Sequence, residues 1–218
     1  MKTSVAPVVC VQPKVGSDWD LLSIEGTAMF VSSDGSFITP NHVIEGITNP
    51  KREKPCPSAA IYGPEDGIWH EDKGTFRVNY ALFIALACKT DKQIDIAYCK
   101  PVPGSLGKIK PVPATLDNSL PAEGTPVAFT GFPLSNVIPI TSIGSVAAYW
   151  ATDDLGTFTV VVDKNGWPGA SGSPIYLQDG HVIGMVFSRG IGEGTGLTYG
   201  RISKFISDFL PKADEGTK

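Results

Sequence analysis

The chain has 218 residues, 42% of them hydrophobic, with 24 glycines, 18 prolines and a formal net charge of −4. That balance argues against broad nucleic-acid binding, which needs a basic surface. No apolar run approaches the length of a membrane span, which argues against a membrane partner. Frequent glycine and proline suit many short strands joined by tight turns, in an all-β chain long enough for two small barrels.

Residues 1–25 read as a lead-in with an edge strand over Val8–Val11. Pro7 interrupts the opening apolar run, and Gln12 and Lys14 end it. That makes a poor signal-peptide core, so the product reads as soluble and without an obvious amino-terminal signal. Strand-like runs follow at Thr27–Ser32 and Ser36–Thr39, joined by Asp34-Gly35. This pair tolerates positive φ and so marks a hairpin. A short turn then carries His42, and further runs lie at Ala59–Tyr62, Phe76–Ala87 and Ile94–Cys99. A Pro/Gly-rich stretch from Pro101 to Gly124 has little periodicity and is the best candidate for a connection between two units, 1–110 and 111–218. Beyond it, strands are expected at Pro126–Thr130, Thr141–Trp150, Thr157–Asp163, Ser173–Leu177, Val182–Ser188 and Leu197–Ile202. Phe205, Ile206 and Phe209 then recur at helical spacing, with Ser203 placed to cap the helix.

The four cysteines, Cys10, Cys56, Cys88 and Cys99, show no Cys-x-x-Cys spacing, so zinc is a weak reading and no metal is expected. Free buried thiols in a reducing, cytoplasmic setting are the simpler account, with one bridge in the first half left open. The dense basic cluster Lys51-Arg52-Glu53-Lys54 reads as a solvated loop.

Gly169-Ala170-Ser171-Gly172-Ser173-Pro174 is the stretch richest in chemistry. A serine hydroxyl is a poor nucleophile at neutral pH. It needs a neighbouring base to take its proton and donors to hold an oxyanion. The glycine two positions before Ser171 permits a tight turn in which the Gly169 and Ser171 amides converge. Of the three histidines, His42 is the best base, since imidazole titrates near neutrality. His181 follows the Asp179-Gly180 turn and reads as a hairpin-tip residue, and His70 in Trp69-His70-Glu71-Asp72 reads as surface. Asp95 opens the apolar run Asp95-Ile96-Ala97-Tyr98-Cys99. A carboxylate there is costly unless hydrogen-bonded, and an imidazole Nδ1–H would satisfy it while fixing the tautomer that the base needs.

Three anchors together resemble the trypsin/chymotrypsin-like serine peptidases, closest in flavour to the protease domain of bacterial high-temperature-requirement proteases. They are Thr39-Pro-Asn-His42-Val, Asp95-Ile-Ala and Pro168-Gly-Ala-Ser171-Gly-Ser-Pro. Thr130-Gly-Phe-Pro-Leu134, Val182–Phe187 and Leu197–Ile202 are secondary matches, so the likeness runs from about Gly26 to Leu210. The resemblance implies two six-stranded antiparallel β-barrels with a C-terminal helix, His42 and Asp95 coming from the first and Ser171 from the second. It implies a serine endopeptidase acting on polypeptide substrates through an acyl-enzyme, without a cofactor, with Gly169 and Ser171 forming the oxyanion hole.

Departures from the digestive members shape further expectations. Ala170 replaces the aspartate that pairs with a newly cut amino terminus there. Either the site is constitutively folded, or a regulatory protein partner or loop movement orders the oxyanion turn. Asn165 stands at the base of the specificity pocket in place of an acid, and Leu197 should shorten it. A preference for small or medium apolar residues follows, with Arg189 and Glu193 in a Gly-rich loop nearby. Val186, Phe187, Ser188 and Arg189, up to Gly190, would pair with substrate backbone as an added strand. Ser173 is a rival nucleophile, read as structural. The alternative function is a catalytically silent peptidase-like binding or regulatory module. A serine esterase fits less well, because Ser173 breaks the Gly-x-Ser-x-Gly pattern and the order His-Asp-Ser is wrong for that fold. A viral polyprotein-processing peptidase would share the fold and differ only in biology.

Overall fold

The opening strand, β1 (Val5–Pro13), is apolar on both faces because each face meets a different core. Ala6, Val8 and Cys10 point into a barrel with Ala28, Phe30, Phe37 and Ile61, while Val5, Val9 and Val11 point outward onto Phe132 of the second half. Strand periodicity of two thus sorts one apolar run between a barrel interior and an inter-barrel seam. This computed structural model describes residues 1–13, 19–49, 51–64, 80–101, 110–151, 158–189 and 196–212. His70, Glu193, Gly190 and the start of the strand expected over Phe76–Ala87 lie outside them.

In the first half, β1 is followed by β2 (Trp19–Phe30), β3 (Phe37–Thr39), a helix α1 (Asn41–Thr48), β4 (Ser58–Pro64), β5 (Tyr80–Asp91) and β6 (Ile96–Pro101). In the second come β7 (Pro126–Gly131), β8 (Ile140–Ala151), β9 (Phe158–Asp163), β10 (Pro174–Tyr176), β11 (Val182–Arg189), β12 (Leu197–Ile202) and a helix α2 (Ser203–Phe209). Each set of six strands closes into an antiparallel barrel, in the orders β1-β2-β3-β6-β5-β4 and β10-β11-β12-β9-β8-β7. The Asp34-Gly35 turn forms as expected, with Gly35 at φ 84° and the Ser36 amide donating to Asp34 Oδ1 at 2.8 Å.

The two barrels share a second apolar seam. Met29, Ile38 and Ile96, on the outward faces of β2, β3 and β6, pack with Val182 and Met185 of β11 and with Ile206 and Phe209 of α2. Full burial of side chains this size contributes about 1.5–3 kcal/mol each, so the seam is a substantial part of the fold's stability. The connection between the barrels is itself tied down. The Ala114 amide donates to Phe30 O, and Leu116 bridges Val182 in parallel.

Four expectations need correction. β1 is not an edge strand, since it pairs with both β2 and β4. The turn carrying His42 is the first turn of α1, in which Val43 and Ile47 bury one face. Ser203 caps nothing. Its hydroxyl donates to Val182 O, and Ile202 stands at the cap position. The cysteines are not free thiols but form Cys10–Cys56 and Cys88–Cys99. Closure brings each pair together, Cys88 and Cys99 facing one another directly across β5 and β6.

Chain-entropy estimates scale with the loop each bridge closes, 46 residues for Cys10–Cys56 and 11 for Cys88–Cys99. Replacing both Cys10 and Cys56 with alanine is expected to cost about 4 kcal/mol, against about 3 kcal/mol for the shorter loop. Thermal melts of the two double variants check this. The first should lose roughly 10 °C and the second less. Unchanged melting temperatures would show that neither bridge constrains the unfolded chain.

Candidate active site

α1 begins at Asn41 because Pro40 holds an extended backbone immediately before it, φ −60° and ψ 144°. With Val43 and Ile47 anchored in the first barrel's core, His42 is left at the seam, its side chain 47% exposed. Its own amide belongs to the first helical turn, where no intrahelical carbonyl can accept it. Asp95 fills that vacancy. Its Oδ1 accepts the His42 amide at 2.9 Å, and its Oδ2 lies 2.8 Å from His42 Nδ1.

One carboxylate therefore fixes both the backbone and the ring of the same histidine. Asp95 sits in a left-handed conformation, φ 54°, which aspartate tolerates better than most residues. Three hydrogen bonds hold the turn leading to it. The Gln93 and Ile94 amides donate to Asp91 Oδ1, and Arg201 Nε of β12 donates to Ile94 O at 3.0 Å. The Asp95 side chain is 21% exposed, so this carboxylate is screened without being sealed from water.

With Nδ1–H directed at Asp95, His42 Nε2 is the free acceptor, and Ser171 Oγ lies 3.2 Å from it. The chain Asp95–His42–Ser171 thus spans both barrels. Gly169 and Gly172 take φ +90° and +96° on either side of the serine. A Cβ on Gly169 would run into Phe132 O, and one on Gly172 into Thr27 O, so neither position admits a side chain.

Hydrogen bonds occupy the turn's other amides. The Ala170 amide donates to Trp167 O, Gly172 to Val186 O and Ser173 to Ala170 O. Among the described residues the Gly169 and Ser171 amides have no partner, which leaves two donors for a ligand oxygen. Ala170 is buried in the second barrel's core, so the turn is built on apolar packing where a buried ion pair could otherwise stand. Ser173 is fully buried behind the turn and cannot reach a substrate.

Beside His42 and Ser171 opens a cavity of ≈ 230 Å³ lined by Gly166, Trp167, Pro168, Val186 and Phe187. Of the residues expected at the specificity pocket, Val186 and Phe187 line it, while Asn165 immediately precedes Gly166 of its lining. Trp167, 48% exposed, was not among the expected residues although it immediately precedes Pro168-Gly169. Gly166 backs onto Thr198, whose Oγ1 a Cβ there would meet at 2.7 Å. β11 pairs with β12 as far as Arg189, whereas β10 pairs with it only up to Met185. Beyond Val186, the other side of β11 has no strand partner among the described residues.

A family model described as a trypsin-like peptidase domain matches residues 26–185. Among solved structures, the Rv3671c protease from M. tuberculosis in its active form is similar, with a TM-score of 0.66 at 16% identity, covering 99% of this chain and 83% of that one. The HtrA-type protease AlgW with a decapeptide gives a TM-score of 0.68 at 17% identity, covering 95% of this chain and 63% of that one. At such identities the likeness speaks to the fold alone. No curated protein sequence matches.

Proposed function

Because the chain belongs to the trypsin-like peptidase family, we propose that it is a serine endopeptidase using His42, Asp95 and Ser171. The observation that carries this reading is the relay from Asp95 through His42 to Ser171, set beside two backbone amides without a partner among the described residues. His42 Nε2 takes the Ser171 proton as Oγ bonds to the scissile carbonyl carbon. The proton passes to the leaving amine as the C–N bond breaks, and water then repeats the sequence to release the acyl group. Asp95 holds the ring in the accepting tautomer and stabilises its charged form. The Gly169 and Ser171 amides receive the oxyanion, a contribution of roughly 3 kcal/mol per donor in comparable sites.

A polypeptide substrate is favoured by the side of β11 over Phe187–Arg189 that has no strand partner among the described residues, which an extended chain can join as a further strand. Among the described residues the cavity is lined by His42, Ser171, Gly166 and apolar side chains, with no carboxylate to meet an arginine or lysine. Preference for small or medium apolar residues before the scissile bond follows. The cytoplasmic expectation rested on the poor signal-peptide core, alongside a reading of the cysteines as free thiols. Two bridges favour an oxidising compartment instead.

Cleavage of a randomised peptide library, read by mass spectrometry, tests the specificity. Alanine, valine and similar apolar residues are expected before the cut, at least tenfold over arginine and lysine. Dominant cleavage after basic residues would remove this account of the cavity.

A further inference from the structure

We propose that Thr27 is a positioning residue for the oxyanion turn, its hydroxyl holding the Gly169 peptide so that the amides of Gly169 and Ser171 face the substrate. The inference rests on the serine-peptidase reading and deepens it.

Thr27 lies in β2 of the first barrel and is completely buried. Its amide donates to Ser171 O at 2.7 Å, and its Oγ1–H donates to Gly169 O at 3.0 Å. The same Oγ1 accepts the Phe132 amide at 3.2 Å, and Thr27 O accepts Thr39 Oγ1–H at 2.9 Å. One residue of the first barrel therefore fixes two carbonyls of the second barrel's turn.

The remaining carbonyls are fixed as well. Pro168 O accepts the Leu134 amide at 2.7 Å, and Ala170 O accepts the Ser173 amide at 2.9 Å. The four consecutive carbonyls from Pro168 to Ser171 are thus all held. A peptide's N–H points opposite its C=O, so anchoring the carbonyl of Pro168 turns the Gly169 amide away from Leu134. Glycine at φ +90° has no Cβ to resist a rotation of that peptide, so resistance must come from hydrogen bonds on its flanks. Thr27 supplies the downstream one.

The Thr27 hydroxyl also reaches the upstream anchor. Phe132, whose amide it accepts, leads into Leu134 and Ser135, two consecutive non-glycine residues at φ 56° and 58°. Such a conformation persists only where its surroundings over-determine it. A side chain here must donate once and accept once from the same atom, which serine and threonine do and valine cannot.

The test compares Thr27→Val, of nearly the same shape, with Thr27→Ser. T27V is expected to lower kcat about 10- to 100-fold, within what loss of oxyanion donors costs. KM should stay within about threefold and the pH midpoint of kcat/KM should not move, because the histidine and aspartate are untouched. T27S should stay within about threefold of wild type in every parameter.

A readout that needs no turnover accompanies this. Amide exchange over residues 168–173 should quicken about tenfold or more in T27V and stay near wild type in T27S. Wild-type kcat and exchange in T27V, or equal impairment in T27S, would overturn the role. A shifted pH midpoint in T27V would also overturn it, by placing the effect on the histidine. Should T27V fail to fold, the wild-type Thr27 hydroxyl proton decides, because the role requires a slowly exchanging resonance with a nuclear Overhauser effect to Gly169. An exchange-averaged hydroxyl refutes it. If wild type fails to react with a fluorophosphonate at Ser171, the peptidase reading falls, while the exchange comparison still decides the role of Thr27.

Discussion

Ser171→Ala is expected to lower kcat for peptide hydrolysis by about a million-fold, the scale seen when a nucleophile of this kind is removed. Its Oγ is the atom that meets His42 Nε2, and the buried Ser173 offers no substitute. KM should change little, because the cavity and the unpaired side of β11 bind substrate without the hydroxyl. Steady-state kinetics on an apolar peptide, with wild-type contamination held below one part in about a million, provide the check. Ser173→Ala serves as the control. The Ser173 hydroxyl has no hydrogen-bond partner among the described residues, so its loss should leave activity within a few-fold. A Ser171→Ala protein that keeps even about one per cent of wild-type turnover would move the chemistry to another residue.

Asp95→Asn should cost about 10⁴-fold in kcat near neutral pH. Asparagine can still accept the His42 amide through its oxygen. Its NH₂ would then face Nδ1 and force the proton onto Nε2, where it blocks acceptance from Ser171. Asparagine is the informative substitution for a second reason. Asp95 has φ 54°, a conformation that asparagine also tolerates, so the variant changes hydrogen-bond polarity without adding backbone strain. The melting temperature should therefore stay close to wild type while turnover falls, and the two measurements together separate tautomer from fold. A loss below about tenfold would mean that His42 does not depend on this carboxylate for its orientation.

The sequence displayed some of this directly and hid the rest for identifiable reasons. The Asp34-Gly35 hairpin and the closing helix were legible because turn chemistry and the spacing of Phe205, Ile206 and Phe209 are local signals. The order of His42, Asp95 and Ser171 was legible as motif. Their meeting depends on barrel closure across 129 residues between histidine and serine. α1 was hidden because its eight residues follow a proline and include Val43, Ile44, Ile47 and Thr48, β-branched residues that read as extended. β1 looked like an edge because its alternation is masked by burial on both faces, a pattern that only the second barrel explains.

Cysteine pairing carried no spacing signal, since Cys10 and Cys56 meet only when β1 lies against β4. Thr27 was the least visible of all. In sequence it is an ordinary strand-forming residue, and its part appears only where residue 27 meets residue 169, 142 positions away. Trp167 stood in plain view beside Pro168-Gly169, yet nothing in the spacing indicated that it would line the cavity beside Ser171.

Everything proposed about turnover requires one seryl oxygen to be far more reactive than its neighbours. Intact-mass and peptide-mapping analysis after brief exposure to a fluorophosphonate measures that reactivity without assuming a substrate. One adduct per chain is expected, located on Ser171 and absent after Ser171→Ala. An unmodified protein, or an adduct spread over other hydroxyls such as Ser173, would contradict it.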